Sequence, residues 1–132
     1  MIIIKQNTHS EINNKLSGEI IKLDSNYSKV KLQTTSEMIV DKMGLIHGGF
    51  IFSLADFASM VAINHPNVVL GGANVRFLKP VREGDTLIAE AHLSNKEGKR
   101  LIVNVDVKRN DDVVFSGEFI CFTPEKYILG DG

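Results

Sequence analysis

The sequence has 132 residues, 43% of them hydrophobic and 23% charged, with a formal net charge of −1. That length suits one domain around one core, and the near-balanced charge excludes the one-sided excess of a nucleic-acid or membrane-surface specialist. The single cysteine, Cys121, rules out an intramolecular disulfide and fits a reducing cytoplasm, and the apolar run at residues 1–4 is too short for a signal peptide or a membrane span.

In chain order, residues 5–15 are polar and read as a loose lead-in. Residues 16–23 and 28–34 alternate apolar and polar about a turn at 24–26, the pattern of a hairpin with one apolar face. Residues 35–47 lead into a stretch, 50–63, that is apolar almost all round and predicts a buried helix of about 16 residues. His65-Pro66-Asn67 ends it, because proline disfavours helix in the residue before it. The remainder reads as strands: 68–78 with Gly71-Gly72 inside, 86–94 after the turn Arg82–Asp85, a run from Leu101 to Lys108 after a turn at 95–98, and 113–123 after the turn at 110–112. Residues 124–132 form a frayed tail. Five or six antiparallel strands and one apolar helix make an α+β domain, its sheet wrapped around the helix. It is a single domain over residues 1–132 with a core at about 16–123.

The chemistry concentrates in and before the helix. Gly48-Gly49 stand where loop becomes helix, a place where free N–H groups and partial positive charge suit a developing oxyanion; the pair equally fits a tight loop-to-helix junction. His47 precedes them, either as a capping residue or as a base. His9, His65 and His92 are scattered and no Cys/His cluster exists, so no metal site is expected. Asp56 is the one charge in the apolar helix, and an unpaired carboxylate there costs several kcal/mol. Either it is a general base with a raised pKa, or Ser53 and Ser59, three residues to either side, satisfy it by hydrogen bonds. Asp56 lies too far along the helix to act on a group held at Gly48 of the same chain, so cooperation between the two requires two subunits. The basic groups Arg76/Lys79/Arg82, Lys96/Lys99/Arg100 and Lys108/Arg109 suit either solvated faces or a modest anionic ligand.

The segment His47-Gly-Gly-Phe-Ile-Phe-Ser-Leu-Ala-Asp-Phe-Ala58 resembles the His-Gly-Gly-x4-Leu-Ala-Asp-x-Ala signature of hotdog-fold acyl-CoA thioesterases of the phenylacetate-pathway (PaaI) type. Phe77-Leu-Lys-Pro80 followed by Gly84-Asp-Thr-Leu87 is similar to that family's second landmark, and the resemblance spans roughly residues 30–123. It implies a hotdog fold, a homodimer or dimer of dimers with the active site between subunits, and hydrolysis of a small, medium or aromatic acyl-CoA. It further implies Asp56 as base or nucleophile, the Gly48 N–H as oxyanion donor and His47 as a positioning residue. Substrate contacts are expected from Asp41, Gly49, Ser59, Gly71 and Gly72. Coenzyme A enters only as part of the substrate, and no other cofactor, metal, nucleic acid or membrane is expected. Asp41 stands where some relatives carry asparagine, and no hydroxyl stands at Leu70–Gly71, where some carry serine. Two other readings share the fold: a non-catalytic acyl-CoA-binding or regulatory module, and a hydratase or dehydratase of acyl thioesters.

Overall fold

The computed structural model describes residues 4–130; the start of the apolar run at residues 1–4 and the last two residues of the tail lie outside the described residues. A short helix α1 (Asn14–Ser17) is followed by β1 (Glu19–Asp24), β2 (Tyr27–Gln33), the central helix α2 (Gly48–Ile63), β3 (Val69–Phe77), β4 (Thr86–Glu97), β5 (Arg100–Arg109) and β6 (Asp112–Phe122). The strands form one antiparallel sheet in the order β1-β2-β4-β5-β6-β3. This is the hotdog arrangement, a six-stranded sheet curled around one long helix.

Period-two alternation places Val30 and Leu32, Leu87, Ala89 and Ala91, Val103, Val105 and Val107, and Phe115 and Phe119 on the inner face, all buried against the helix. On the helix, Leu54, Ala55, Phe57, Ala58, Val61 and Ala62 are fully enclosed. Alanines on both layers keep the helix close to the sheet, close enough for the buried Ser28 Oγ to donate to the Ala58 carbonyl at 2.6 Å. Asn64 ends the helix in the left-handed conformation, its N–H returning to the Met60 carbonyl at 2.9 Å.

Three local expectations are corrected. Residues 14–17, expected to lead into or begin the first strand, form a helical turn because Asn13 Oδ1 caps the N–H groups of Lys15 and Leu16 at 3.0 and 3.3 Å. The fourth strand does not stop at Ser94. A bulge between Leu93 and Asn95 absorbs one residue and the ladder continues to Glu97, so the turn is Gly98-Lys99, with Gly98 at φ +64°. Nor is the lead-in loose, and the C-terminal segment is tied down where it leaves the sheet. The Asn64 side chain accepts from Asn7 N at 2.7 Å and donates to the Lys5 carbonyl at 2.8 Å, while Asn67 Nδ2 donates to the carbonyls of Pro124 and Glu125 at 3.0 and 3.2 Å. Among the described residues no helix is long and apolar enough to cross a membrane.

Candidate active site

The first half of the site is the N-terminus of α2. His47 is its N-cap, in extended backbone conformation, and its side chain makes no capping hydrogen bond. Its N–H is tied to the Met38 carbonyl at 2.9 Å, which fixes the loop that delivers the glycines. The first-turn N–H groups of Gly48 and Gly49 have no intrahelical acceptor and carry the positive end of the helix dipole. Both positions are crowded. A Cβ at Gly49 would lie 2.9 Å from His47 Nε2, and one at Gly48 would lie 3.1 Å from the ring of Phe77. Phe77 is half exposed, and it shares with Gly48, Ile51 and Leu78 a shallow cleft of about 320 Å³. A planar acyl carbon held there would have backbone donors on one side and an apolar wall on the other.

The second half is Asp56, eight residues and about 12 Å further along the helix. Its Oδ1 is buried and has no hydrogen-bond partner among the described residues. The flanking serines do not satisfy it: Ser53 Oγ pairs with Ser17 Oγ at 2.7 Å, and Ser59 Oγ donates to the backbone carbonyl of Asp56 at 2.8 Å. That removes the purely structural account of the carboxylate. Burial pushes the Asp56 carboxyl up to about 6, because the charged form loses its hydration. The carboxylate looks into a cleft of about 610 Å³ whose apolar walls include Met60, Val68, Val69, Leu70 and Ile128.

The other expected residues are spread between these halves. Asp41 is exposed, and its Oδ1 accepts from the N–H groups of Met43 and Leu45 at 2.9 and 3.2 Å, so its carboxylate shapes its own loop. Ser59 is fully buried in the core. Gly71 and Gly72 stand at a bulge in β3, where a Cβ at Gly71 would lie 2.3 Å from the Phe122 ring. Gly71 borders a neighbouring cleft of about 860 Å³ that also contains Lys96 and Lys99 and shares Val69, Leu70 and Ile128 with the Asp56 cleft. Of the other basic residues, Arg109 pairs with Asp85 at 3.1 Å and Lys79 with Asp112 at 3.0 Å.

Periodicity and motif spacing do not reveal the groups that both chain ends bring to Asp56. Asn7, Thr8, His9 and Ser10 come from the N-terminal segment, and Tyr127, Ile128 and Leu129 from the C-terminal one. The only local sign is an unusual density of Asn, Thr, His and Ser just before the first helical turn.

Residues 43–116 match the family model of the thioesterase superfamily. Over 112 residues the chain is 54% identical to methylthioribose-1-phosphate isomerase of Aquifex aeolicus, covering 85% of this chain but 25% of that protein. Over 113 residues it is 30% identical to the transcription factor FapR of Caldanaerobacter subterraneus, covering 85% of this chain and 56% of FapR. The chain thus spans a quarter and about half of the length of these two relatives. Among solved structures, an uncharacterized protein from Pyrococcus horikoshii superposes with a TM-score of 0.94 at 48% identity, covering 98% of this chain and 99% of that one. The E. coli PaaI protein from the phenylacetic acid degradation operon superposes with a TM-score of 0.75 at 26% identity, covering 83% and 80%. The proteins this chain resembles carry divergent names: an isomerase, a transcription factor and PaaI.

Proposed function

Because the chain belongs to the thioesterase superfamily, we propose that it hydrolyses a small, medium or aromatic acyl-CoA thioester in a site shared by two copies. One observation carries this reading: an Asp56 carboxylate whose Oδ1 is buried without a partner among the described residues and the open N–H groups of Gly48 and Gly49 lie on one helix, too far apart to serve one bond. The sheet offers a way to unite them. β3 is an edge strand; Val69 and Leu70 at its start wall the Asp56 cleft, and Phe77 at its end lies over Gly48. Antiparallel pairing of β3 with a second β3 about a two-fold axis lays the start of one against the end of the other. Asp56 of each copy then approaches Gly48 of its mate.

In that arrangement the thioester carbonyl oxygen accepts from the Gly48 N–H, which stabilises negative charge as the carbon becomes tetrahedral. Asp56 takes a proton from water while the water oxygen bonds to the carbonyl carbon. Collapse breaks the C–S bond, and the proton on Asp56 passes to the departing thiolate. Direct attack by the carboxylate, followed by hydrolysis of the anhydride, uses the same two groups. Lys96 and Lys99 would serve the coenzyme phosphates at the far end of the adjoining cleft. His47, whose ring lies against Gly49, would hold the oxyanion loop in shape.

The test is thiol release from a panel of short, medium, aromatic and hydroxyaromatic acyl-CoAs, comparing wild type with Asp56→Asn. Turnover of at least one substrate that is lost in the variant supports the reading. Absence of turnover with any acyl-CoA, together with a thermal shift on adding one, supports a second reading, a non-catalytic acyl-CoA-binding module. The likeness to a protein named a transcription factor favours that alternative.

A further inference from the structure

The N-terminal segment is built into the molecule with more care than a lead-in needs. Asn64, the residue that ends α2, clasps it at Lys5 and Asn7, Gln6 Nε2 donates to the carbonyls of Thr8 and His9 at 2.9 and 3.2 Å, and Thr8 is buried. At its centre His9 adopts φ +57°. The other non-glycine residues in that region among the described ones, Asn26, Asn64 and Asn110, are all asparagine, the residue that tolerates it best. A histidine is thus held where asparagine is the usual choice.

The conformation puts the half-buried imidazole in the Asp56 cleft, its ring centroid 6.3 Å from that of Phe57, the neighbour of Asp56 on the helix. Thr8 Oγ1 engages His9 Nδ1 at 2.8 Å, so Nε2 is the ring nitrogen left for the cleft. The titratable groups lining this cleft are His9 from the N-terminal segment, Asp56 from α2 and Tyr127 from the C-terminal segment. Val69 and Leu70, facing it from β3, offer no side-chain donor.

We propose that His9 is a positioning residue of the Asp56 centre, its Nε2 linked to the Asp56 carboxylate through the attacking water held in the cleft that both residues line. With the Thr8 hydroxyl donating to Nδ1, Nε2 carries the proton and donates to that water, which in turn donates to the Asp56 carboxylate. Desolvation lowers the His9 pKa, which keeps the ring neutral in that role. The catalytic part of this proposal rests on the thioesterase reading above; the pairing of His9 with Asp56 does not.

Two measurements on the full chain test it. In the first, NMR follows the His9 ring C–H through a pH titration, assigned with His9→Asn, in wild type and in Asp56→Asn. Losing an adjacent carboxylate lowers the histidine midpoint by about half a pH unit or more; an unmoved midpoint overturns the proposal. In the second, His9→Asn, which suits the left-handed backbone and preserves the melting temperature, lowers kcat by about 10–10²-fold while KM stays within about threefold. His9→Gln, which keeps an N–H donor on a longer side chain, recovers part of that loss. Wild-type kcat in His9→Asn also overturns the proposal. If wild type hydrolyses no thioester, the thioesterase reading fails, and the titration alone still decides whether His9 and Asp56 form one centre.

Discussion

The two ends of the reactive stretch of α2 are built in opposite ways. At Gly48 the polar groups are backbone, delivered by a loop pinned to Met38, and the neighbouring Phe77 ring is half exposed, its edge against Phe115. At Asp56 the polar group is a side chain in a cleft walled by β3 and segments from both ends of the chain, its Oδ1 buried without a partner among the described residues. An oxyanion donor benefits from being rigid and open, since it must receive a carbonyl oxygen without reorganising. A base benefits from desolvation, which lifts its pKa toward working pH. One helix serves both requirements because its first turn has free N–H groups, while at its middle the two chain-end segments and β3 close over Asp56.

The largest effect that tests this contrast is on activity. Asp56→Asn keeps size and removes charge, and thiol release should fall ~10²–10⁴-fold. Below it comes Gly48→Pro. Gly48 is the first helical residue and His47 before it is extended, so proline fits the backbone there while removing the N–H; a loss of ~10²–10³-fold is expected from one oxyanion donor. The two variants also test sharing across copies. Mixed after unfolding and refolding, two inactive proteins should regain about a quarter of wild-type activity, since half the dimers are mixed and each mixed dimer has one intact site. Absence of recovery in the mixture would mean that both groups act within one copy.

Smaller effects separate the two ends by stability and pH. Because the folded Asp56 carboxyl is raised from 3.8 to about 6, the folded state binds this proton more tightly than the unfolded chain. The resulting stabilisation is complete below pH 4 and is lost as pH rises through 6. Asp56→Asn should therefore unfold at higher denaturant concentration than wild type at pH 8, by on the order of 1–3 kcal/mol, and the gap should close near pH 4. The pH–rate profile of wild type should rise with a midpoint near 6. Smallest is a pair of glycine substitutions read by thermal melting. Gly71→Ala must displace the Phe122 ring and should cost about 1–2 kcal/mol, whereas Gly48→Ala meets only the half-exposed Phe77 and should be nearly neutral.

Much of the fold was legible because its signals are local. Alternation in residues 28–34 and 101–108 and the nearly continuous apolar run from Phe50 each follow from side-chain direction at period two or from burial on almost all sides. The errors fell where a single side chain overrides pattern: Asn13 capping a turn of helix ahead of β1, and one extra residue at Ser94 taken up as a bulge. The site was legible in part. Asp56 announces itself as a lone charge in an apolar helix, and Gly48-Gly49 as a loop-to-helix junction. What Ser53 and Ser59 bond to was not legible, since helical spacing brings them near Asp56 but leaves their hydroxyls free to choose Ser17 and a backbone carbonyl.

By itself, then, the sequence determined an antiparallel sheet, a buried helix with an acid in it, and a resemblance whose superfamily the comparisons bear out. Those properties depend on composition and on contacts between residues a few positions apart. Only the tertiary structure decided that the acid's Oδ1 has no partner among the described residues, that β3 is an edge strand linking its cleft to the glycine end, and that His9 lines the same cleft. These depend on hydrogen bonds such as those from Asn64 to Asn7 and Lys5, 57 and 59 residues away in the chain. No periodicity encodes such pairings, because they are selected by the closure of the whole sheet around the helix.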